Sequence, residues 1–291
     1  MNDCIQTYEI HPQKPKLTLP PLSCDSHCHI FGPANLFPFV EQRSFTPVDA
    51  PKETLFALHE LLGIQRCVIV QTALHGFDNS VVVDAMQARP GTYLGVALSS
   101  AKVGTTALKE MYLQGFRGIR FNFMAHLKNS DSMEDILDLT KRLDKLNMHL
   151  QVHFSSDLIH ELAPLLKKSV APVMIDHIGR VDASLGENHR DFQALLHLMD
   201  DPKMHMKVSG VDRIVKGVPY TQGIHLAKIM VDRFTDQCVW GTDWPHPNHH
   251  HIPQDGILVD IISQITDTPE KLMHIMVKNP ERFYGFNNYS R

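Results

Sequence analysis

Cys67-Val68-Ile69-Val70-Gln71 is an unbroken apolar run of strand length that ends on an amide. Ahead of it, Leu55, Leu58, Leu61 and Leu62 recur at helical spacing. Pro51 suits the start of that helix and Gly63 its end. A helix followed by a strand apolar on both faces is the repeating unit of a buried parallel sheet. The alternation extends both ways. Upstream, 22–30 reads as a strand. Downstream, strands are expected over 93–98, 116–123, 149–154, 173–177, 205–209 and 237–243. Between and after them helices are expected over 80–89, 105–114, 133–146, 157–168, 190–199, 220–234 and 269–278. Eight β/α units in about 260 residues match a closed parallel barrel. The fold class is α/β, a single-domain (β/α)8 TIM-like barrel over 22–291, with 1–21 as a lead-in. A doubly wound open sheet is the alternative, but no Gly-x-Gly-x-x-Gly follows any strand.

The composition narrows the partners. The chain has 291 residues, 43% of them hydrophobic, and a formal charge of -4, so nothing marks it for nucleic acid or an anionic membrane. No apolar core of a signal peptide opens it and no run of about 18 apolar residues crosses it. Cys4, Cys24, Cys28, Cys67 and Cys238 are odd in number and irregularly spaced, which fits reduced thiols in the cytoplasm. Cys24 and Cys28, on one strand, stand roughly 13 Å apart, too far for a disulfide. The oligomeric state is not legible.

In such a barrel the active site lies at the C-terminal ends of the strands. There the chain places His27 and His29, Gln71, Arg120 with Asn122, His153, Asp176-His177-Ile178-Gly179-Arg180, Ser209 with Arg213, and Trp240-Gly241-Thr242-Asp243-Trp244-Pro245-His246. His27 and His29 share one side of their strand, suited to gripping a metal or polarising a carbonyl. Each residue alone has an ordinary structural role; their convergence on one mouth points to function. The long loop over 31–50, rich in Pro and Phe, either covers that mouth or touches ligand.

The strand 1, strand 6 and strand 8 motifs resemble the amidohydrolase superfamily, in its amidohydrolase-2 branch. More narrowly they are similar to the 2-pyrone-4,6-dicarboxylate hydrolases and related lactonases. Phe31-Gly32-Pro33, Arg43-Ser44-Phe45-Thr46-Pro47, Arg117 to Phe123 and Lys207-Val208-Ser209-Gly210 add to the likeness, which spans about residues 22–286. The resemblance implies a hydrolase opening a small anionic lactone, a pyrone or muconolactone-like dicarboxylate from aromatic breakdown. It implies Asp243 as general base, His27, His29 and His177 around the reacting carbonyl and water, and Arg120 and Arg213 on substrate carboxylates. Gln71, Phe45, His126 and His153 complete the expected substrate site.

Three positions depart from the pyrone hydrolase pattern: Phe45 and His153 stand where Tyr is expected, and His126 where Arg is expected. His153 raises the metal question, because with His27, His29 and Asp243 it would make a set suited to one zinc ion. No cofactor is favoured, since the resemblance lies on the metal-free side of the superfamily. A lactone isomerase or a metal-dependent decarboxylase on the same barrel is the alternative activity, and a barrel that only binds small acids a third reading. His249-His250-His251 reads as a solvated loop near the mouth.

Overall fold

A computed structural model describes residues 4–124, 131–215 and 217–286; His126 lies outside them. Eight strands follow the chain around one sheet: β1 (Cys24–Cys28), β2 (Arg66–Val70), β3 (Tyr93–Leu98), β4 (Phe116–Phe123), β5 (His149–Phe154), β6 (Val173–Ile175), β7 (Met204–Lys207) and β8 (Cys238–Val239). Every neighbouring pair is parallel. The barrel is closed by backbone bonds past the end of β8. Ser26 N donates to Trp240 O at 2.8 Å, Asp243 N to His27 O at 2.7 Å and His29 N to Trp244 O at 2.6 Å.

Alternation along the strands builds two apolar layers. Val68 and Val70 of β2 point inward with Cys24, Leu94, Val96, Met174 and Val239, and Tyr284 and Phe286 join this interior cluster. Cys67 and Ile69 point outward to the helices α1 (Lys52–Leu62), α2 (Ser80–Ala88), α3 (Thr105–Gln114), α4 (Met133–Asp144), α5 (Ile159–Leu166), α6 (Arg190–Met199) and α7 (Thr221–Phe234). The predicted stop holds, Gly63 ending α1 at φ 80°, and Gly115 likewise ends α3 at φ 114°, backbone that favours glycine. Among the described residues no helix is long and apolar enough to cross a membrane.

Three expectations are corrected. β6, β7 and β8 stop short of 177, 209 and 243, because the chain turns sharply just beyond β6 and β8: His177, Ile178 and Asp243 have φ of 50°, 51° and 63°. An unexpected helix, α8 (Asp255–Ile265), follows β8. The expected helix over 269–278 is α9 (Pro269–Met273), a π turn over His274–Lys278, then α10 (Asn279–Tyr284).

The segment before β1 lies over α8. Lys16 N and Leu17 N both donate to Asp260 Oδ1, at 2.7 and 2.8 Å, and Gln13 N donates to Gln254 Oε1 at 3.1 Å. A Cβ at Gly256 would come within 2.1 Å of Gln13 O, so this contact requires glycine. At the opposite end from the mouth, Phe283 packs against His149 (centroids 4.8 Å apart) and His205 (4.4 Å).

Burial pushes His149 down to about 3 and His205 down to about 4. Both are neutral in the folded barrel and protonate near 6.5 when unfolded, so the unfolded chain binds protons first as pH falls. Stability is therefore expected to fall by roughly 1.4 kcal/mol per histidine for each pH unit below about 6.5, down to about 4. Urea unfolding at pH 7.5, 6 and 5 measures it, and His149→Gln should flatten the slope. A stability independent of pH across this range would contradict the assignment.

Candidate active site

The site rests on a buried clamp. Asp25 of β1, fully buried, accepts from His27 N and Thr242 N through Oδ1, both at 3.0 Å. Its Oδ2 accepts from Thr242 Oγ1 at 2.6 Å and His59 Nε2 at 3.2 Å. Gly241 permits the approach, since a Cβ there would lie 2.5 Å from His27 N and 2.8 Å from Asp25 Oδ1. The clamp sets the turn carrying Asp243 against the histidines of β1.

Asp243 Oδ1 lies 3.2 Å from His29 Nε2, 3.6 Å from His27 Nε2 and 3.7 Å from His177 Nε2. Arg213 Nε is bound to its other oxygen, Oδ2. Burial raises the Asp243 carboxyl, but Arg213 and His177 outweigh burial and hold it well below the usual carboxylate range. Asp176 is a second buried carboxylate. It accepts from Arg120 Nε at 2.8 Å and Gln151 Nε2 at 2.9 Å, with Lys207 Nζ 3.5 Å away. Burial lowers His177 and His153 well below 6.5 and His27 to about 3, so all three are neutral near pH 7.

A cleft of about 640 Å³ opens over these groups, lined by His29, Arg120, His153, His177, Arg213 and Asp243 among others. The loop over 31–50, pinned at its base by the Phe31–Ala50 bridge, adds Gln42 to Phe45. Three buried polar atoms of the cleft residues have no hydrogen-bond partner: Asp243 Oδ1, Arg213 Nη2 and His153 Nε2. Arg180, quoted in the strand 6 motif but not foreseen as a site residue, also lines the cleft. No carboxylate among the described residues lies within ion-pair distance of it. Burial, and Arg213 nearby, lower its pKa to about 10. Lys207 lies beneath the mouth, lowered by burial to about 8. Its position in a motif was legible; its inward aim was not.

Gln71 turns away from the cleft. Its Nε2 donates to the carbonyls of Gly76 (3.3 Å) and Asp78 (2.6 Å), so it supports the loop whose Thr72 to Leu74 and Gly76 line the wall. The His249–His251 triplet is only partly solvated. His249 Nε2 pairs with Asp212 Oδ2 at 2.6 Å and His251 Nε2 with Tyr220 Oη at 2.7 Å.

For a metal, one ring nitrogen each of His27 and His29 and a carboxylate oxygen of Asp243 lie within 4.8 Å of one another. The expected set with His153 does not assemble. His153 stands beyond His177, ring centroids 5.7 Å apart, and its Nδ1 pairs with Asn122 Oδ1 at 3.2 Å. The fixed charges also bear on the question. Of the charged groups lining the cleft, Arg43, Arg120, Arg180 and Arg213 outnumber Asp131 and Asp243 by two, while beneath and beside it Lys207 stands with the buried carboxylates Asp25, Asp176 and Asp212. At the rim, Arg43 and Asp131 offset each other.

Known proteins agree with this picture. The amidohydrolase family profile matches residues 24–286, and the chain belongs to that family. It is 36% identical over 285 residues to a 2-pyrone-4,6-dicarboxylate hydrolase of Comamonas testosteroni, covering 94% of this chain and 93% of the relative. It is 36% identical over 275 residues to a 4-sulfomuconolactone hydrolase of Hydrogenophaga intermedia, covering 93% and 91%. A Pseudomonas putida crystal structure, provisionally assigned as a 2-pyrone-4,6-dicarboxylic acid hydrolase, superposes with a TM-score of 0.79 at 27% identity. It covers 92% of this chain and 99% of that one.

Arg180→Met is expected to weaken binding of a small dicarboxylate by the worth of a charged hydrogen bond, about 1.5–3 kcal/mol, or roughly 10- to 150-fold. Arg43→Met at the rim should cost less. Calorimetric titration measures both, and unchanged affinity in Arg180→Met would show that this guanidinium does not meet the anion.

Proposed function

We propose that this protein hydrolyses a small anionic lactone, a pyrone or muconolactone-like dicarboxylate, with Asp243 as the base. The observation that carries the reading is one cleft holding an unpaired carboxylate oxygen, an unpaired guanidinium nitrogen and two net positive charges. A dianion neutralises that charge, and Arg213 and Arg180 offer it guanidinium donors. Named activities of relatives at 36% identity support the same class.

The chemistry follows from the residues. Water held at Asp243 Oδ1 attacks the lactone carbonyl carbon and gives its proton to the carboxylate. The carbonyl oxygen takes up negative charge beside the site histidines and the Arg213 guanidinium. Collapse of the tetrahedral carbon breaks the ring carbon–oxygen bond, and the proton on Asp243 passes to the departing oxygen. Arg213 keeps Asp243 a weak base in the empty site. Two incoming negative charges oppose that effect and raise its proton affinity when substrate is bound.

A resident divalent metal suits the site poorly. Asp243 Oδ2 is taken by Arg213, and His153, the fourth expected ligand, is turned to Asn122. No step above uses one. The five cysteines are free thiols, which supports the cytoplasm as location. Residues 22–291 are taken as the catalytic unit and 1–21 as its lead-in.

Incubation with lactone dicarboxylates, followed by absorbance or product analysis, tests the reading. Ring opening is expected, at full rate after treatment with a chelator. Asp243→Asn keeps the shape and should lower kcat by roughly 10² or more. Near wild-type turnover in that variant, or loss of activity to chelator with recovery on zinc, would overturn the assignment.

A further inference from the structure

The cleft has two unlike sides. In a ring of eight strands β2 and β3 stand across from β6 and β7. Arg180 follows β6 and Arg213 follows β7, with Asp243 beside them after β8. Across the mouth, the ends of β2 and β3 supply Ala73, Leu74, Phe77 and Leu98. Among the described residues, no charged group that lines the cleft comes from these two strand ends. Met124, just after β4, and Phe45, from the loop over 31–50, add to the apolar lining.

This side is held in place by its own hydrogen bonds. The Asn79 amide joins its two halves: Nδ2 donates to Phe77 O at 2.9 Å and to Leu98 O at 3.0 Å, and Oδ1 accepts from Leu98 N at 3.0 Å. His75 ties it to the loop over 31–50. Its Nδ1 donates to Pro38 O at 3.2 Å, and its Nε2 accepts from Gly32 N at 3.2 Å. Val40 N donates to Leu74 O at 2.8 Å. Leu74 and Leu98 are buried in this wall, yet Phe77 is 62% exposed at its edge. Covering that ring releases the free energy of burying apolar surface, and a ligand that does so has little of the wall left to order.

We propose that this wall receives an apolar part of the substrate, so that the preferred lactone dicarboxylate carries a hydrocarbon substituent, alkyl or aryl, on its ring. The proposal rests on the lactone hydrolase reading. The carboxylates face the arginines after β6 and β7, and the substituent extends across the mouth toward Leu74, Phe77 and Leu98. Charge sets this orientation. Asp131, which accepts from Ser100 Oγ at 3.0 Å just past β3, puts a carboxylate rather than a cation next to the apolar side. Arg43 spends Nε on Thr46 Oγ1 (2.9 Å) and Nη1 on Val40 O (2.8 Å) within its own loop. Size agrees with it. The cleft of about 640 Å³ falls among pockets that enclose drug-sized ligands, about 300–1,000 Å³, and a one-ring dicarboxylate fills only part of it.

The test compares lactone dicarboxylates that share one ring and carry hydrogen, methyl, butyl or phenyl at each free ring carbon in turn. At the favoured carbon, kcat/KM should rise roughly threefold or more per added carbon up to butyl, and phenyl should exceed hydrogen by roughly tenfold or more. Phe77→Ser, at an exposed position, should lower the phenyl-to-hydrogen ratio of kcat/KM by roughly fivefold or more. The ratio cancels any loss common to both substrates. Ring opening in which no substituent brings a gain, or a ratio unmoved in Phe77→Ser, would overturn the wall and leave the hydrolase reading standing. If no lactone of the series opens, that reading fails, and calorimetric titration with succinate and phenylsuccinate decides on the wall. Phenylsuccinate binding roughly tenfold or more tightly upholds it, and equal or absent binding overturns it.

Discussion

Asp25 receives four hydrogen bonds, two from the backbone of His27 and Thr242 and two from the side chains of Thr242 and His59. It is fully buried, so each of those donors is needed to offset the lost hydration of the carboxylate. The bonds span β1, the turn after β8 and helix α1, and they fasten the strand pair that closes the barrel. Everything at the mouth is referred to this seam. Asp243 adopts a backbone with φ 63°, costly for a side-chain-bearing residue, and the neighbouring clamp together with the Asp243 N–His27 O bond holds it there.

Above the seam, charge decides the chemistry. Four arginines and two aspartates line the cleft, and every site histidine whose pKa shift is resolved is neutral. A cleft wall with that balance favours a dianion. It also divides labour between similar residues. Arg120 is committed to Asp176 and Arg213 to Asp243, so Arg180, with no carboxylate among the described residues within ion-pair distance, is the guanidinium most available to substrate.

The barrel was legible because its strands are buried on both faces and read as unbroken apolar runs, Cys67 to Val70 above all. The strand ends pointed to His27, His29, His177, Arg120, Arg213 and Asp243, which do meet at one mouth. What stayed hidden has physical causes. Helix α8 carries Gly256 in its first turn, kept small for the chain at Gln13, and glycine weakens a helical pattern. The early ends of β6 and β8 come from positive φ at His177, Ile178 and Asp243, residue types that carry no such signal. Gln71 ends β2 as a substrate residue would, but its amide is taken by loop carbonyls. Asp25 and Lys207 point beneath the mouth, and spacing alone does not separate that layer from the cleft. The thiols that meet are Cys28 and Cys67, 3.1 Å apart across β1 and β2, a contact set by register.

The central claim is that water, activated by Asp243, adds across a lactone ester bond. Turnover of a lactone dicarboxylate in 18O-water, with mass spectrometry of the product, tests it most directly. The account predicts one 18O per turnover, located in the newly formed carboxylate, because attack is at the carbonyl carbon. A product isomeric with the substrate and free of label, or label in the hydroxyl or keto oxygen, would contradict it.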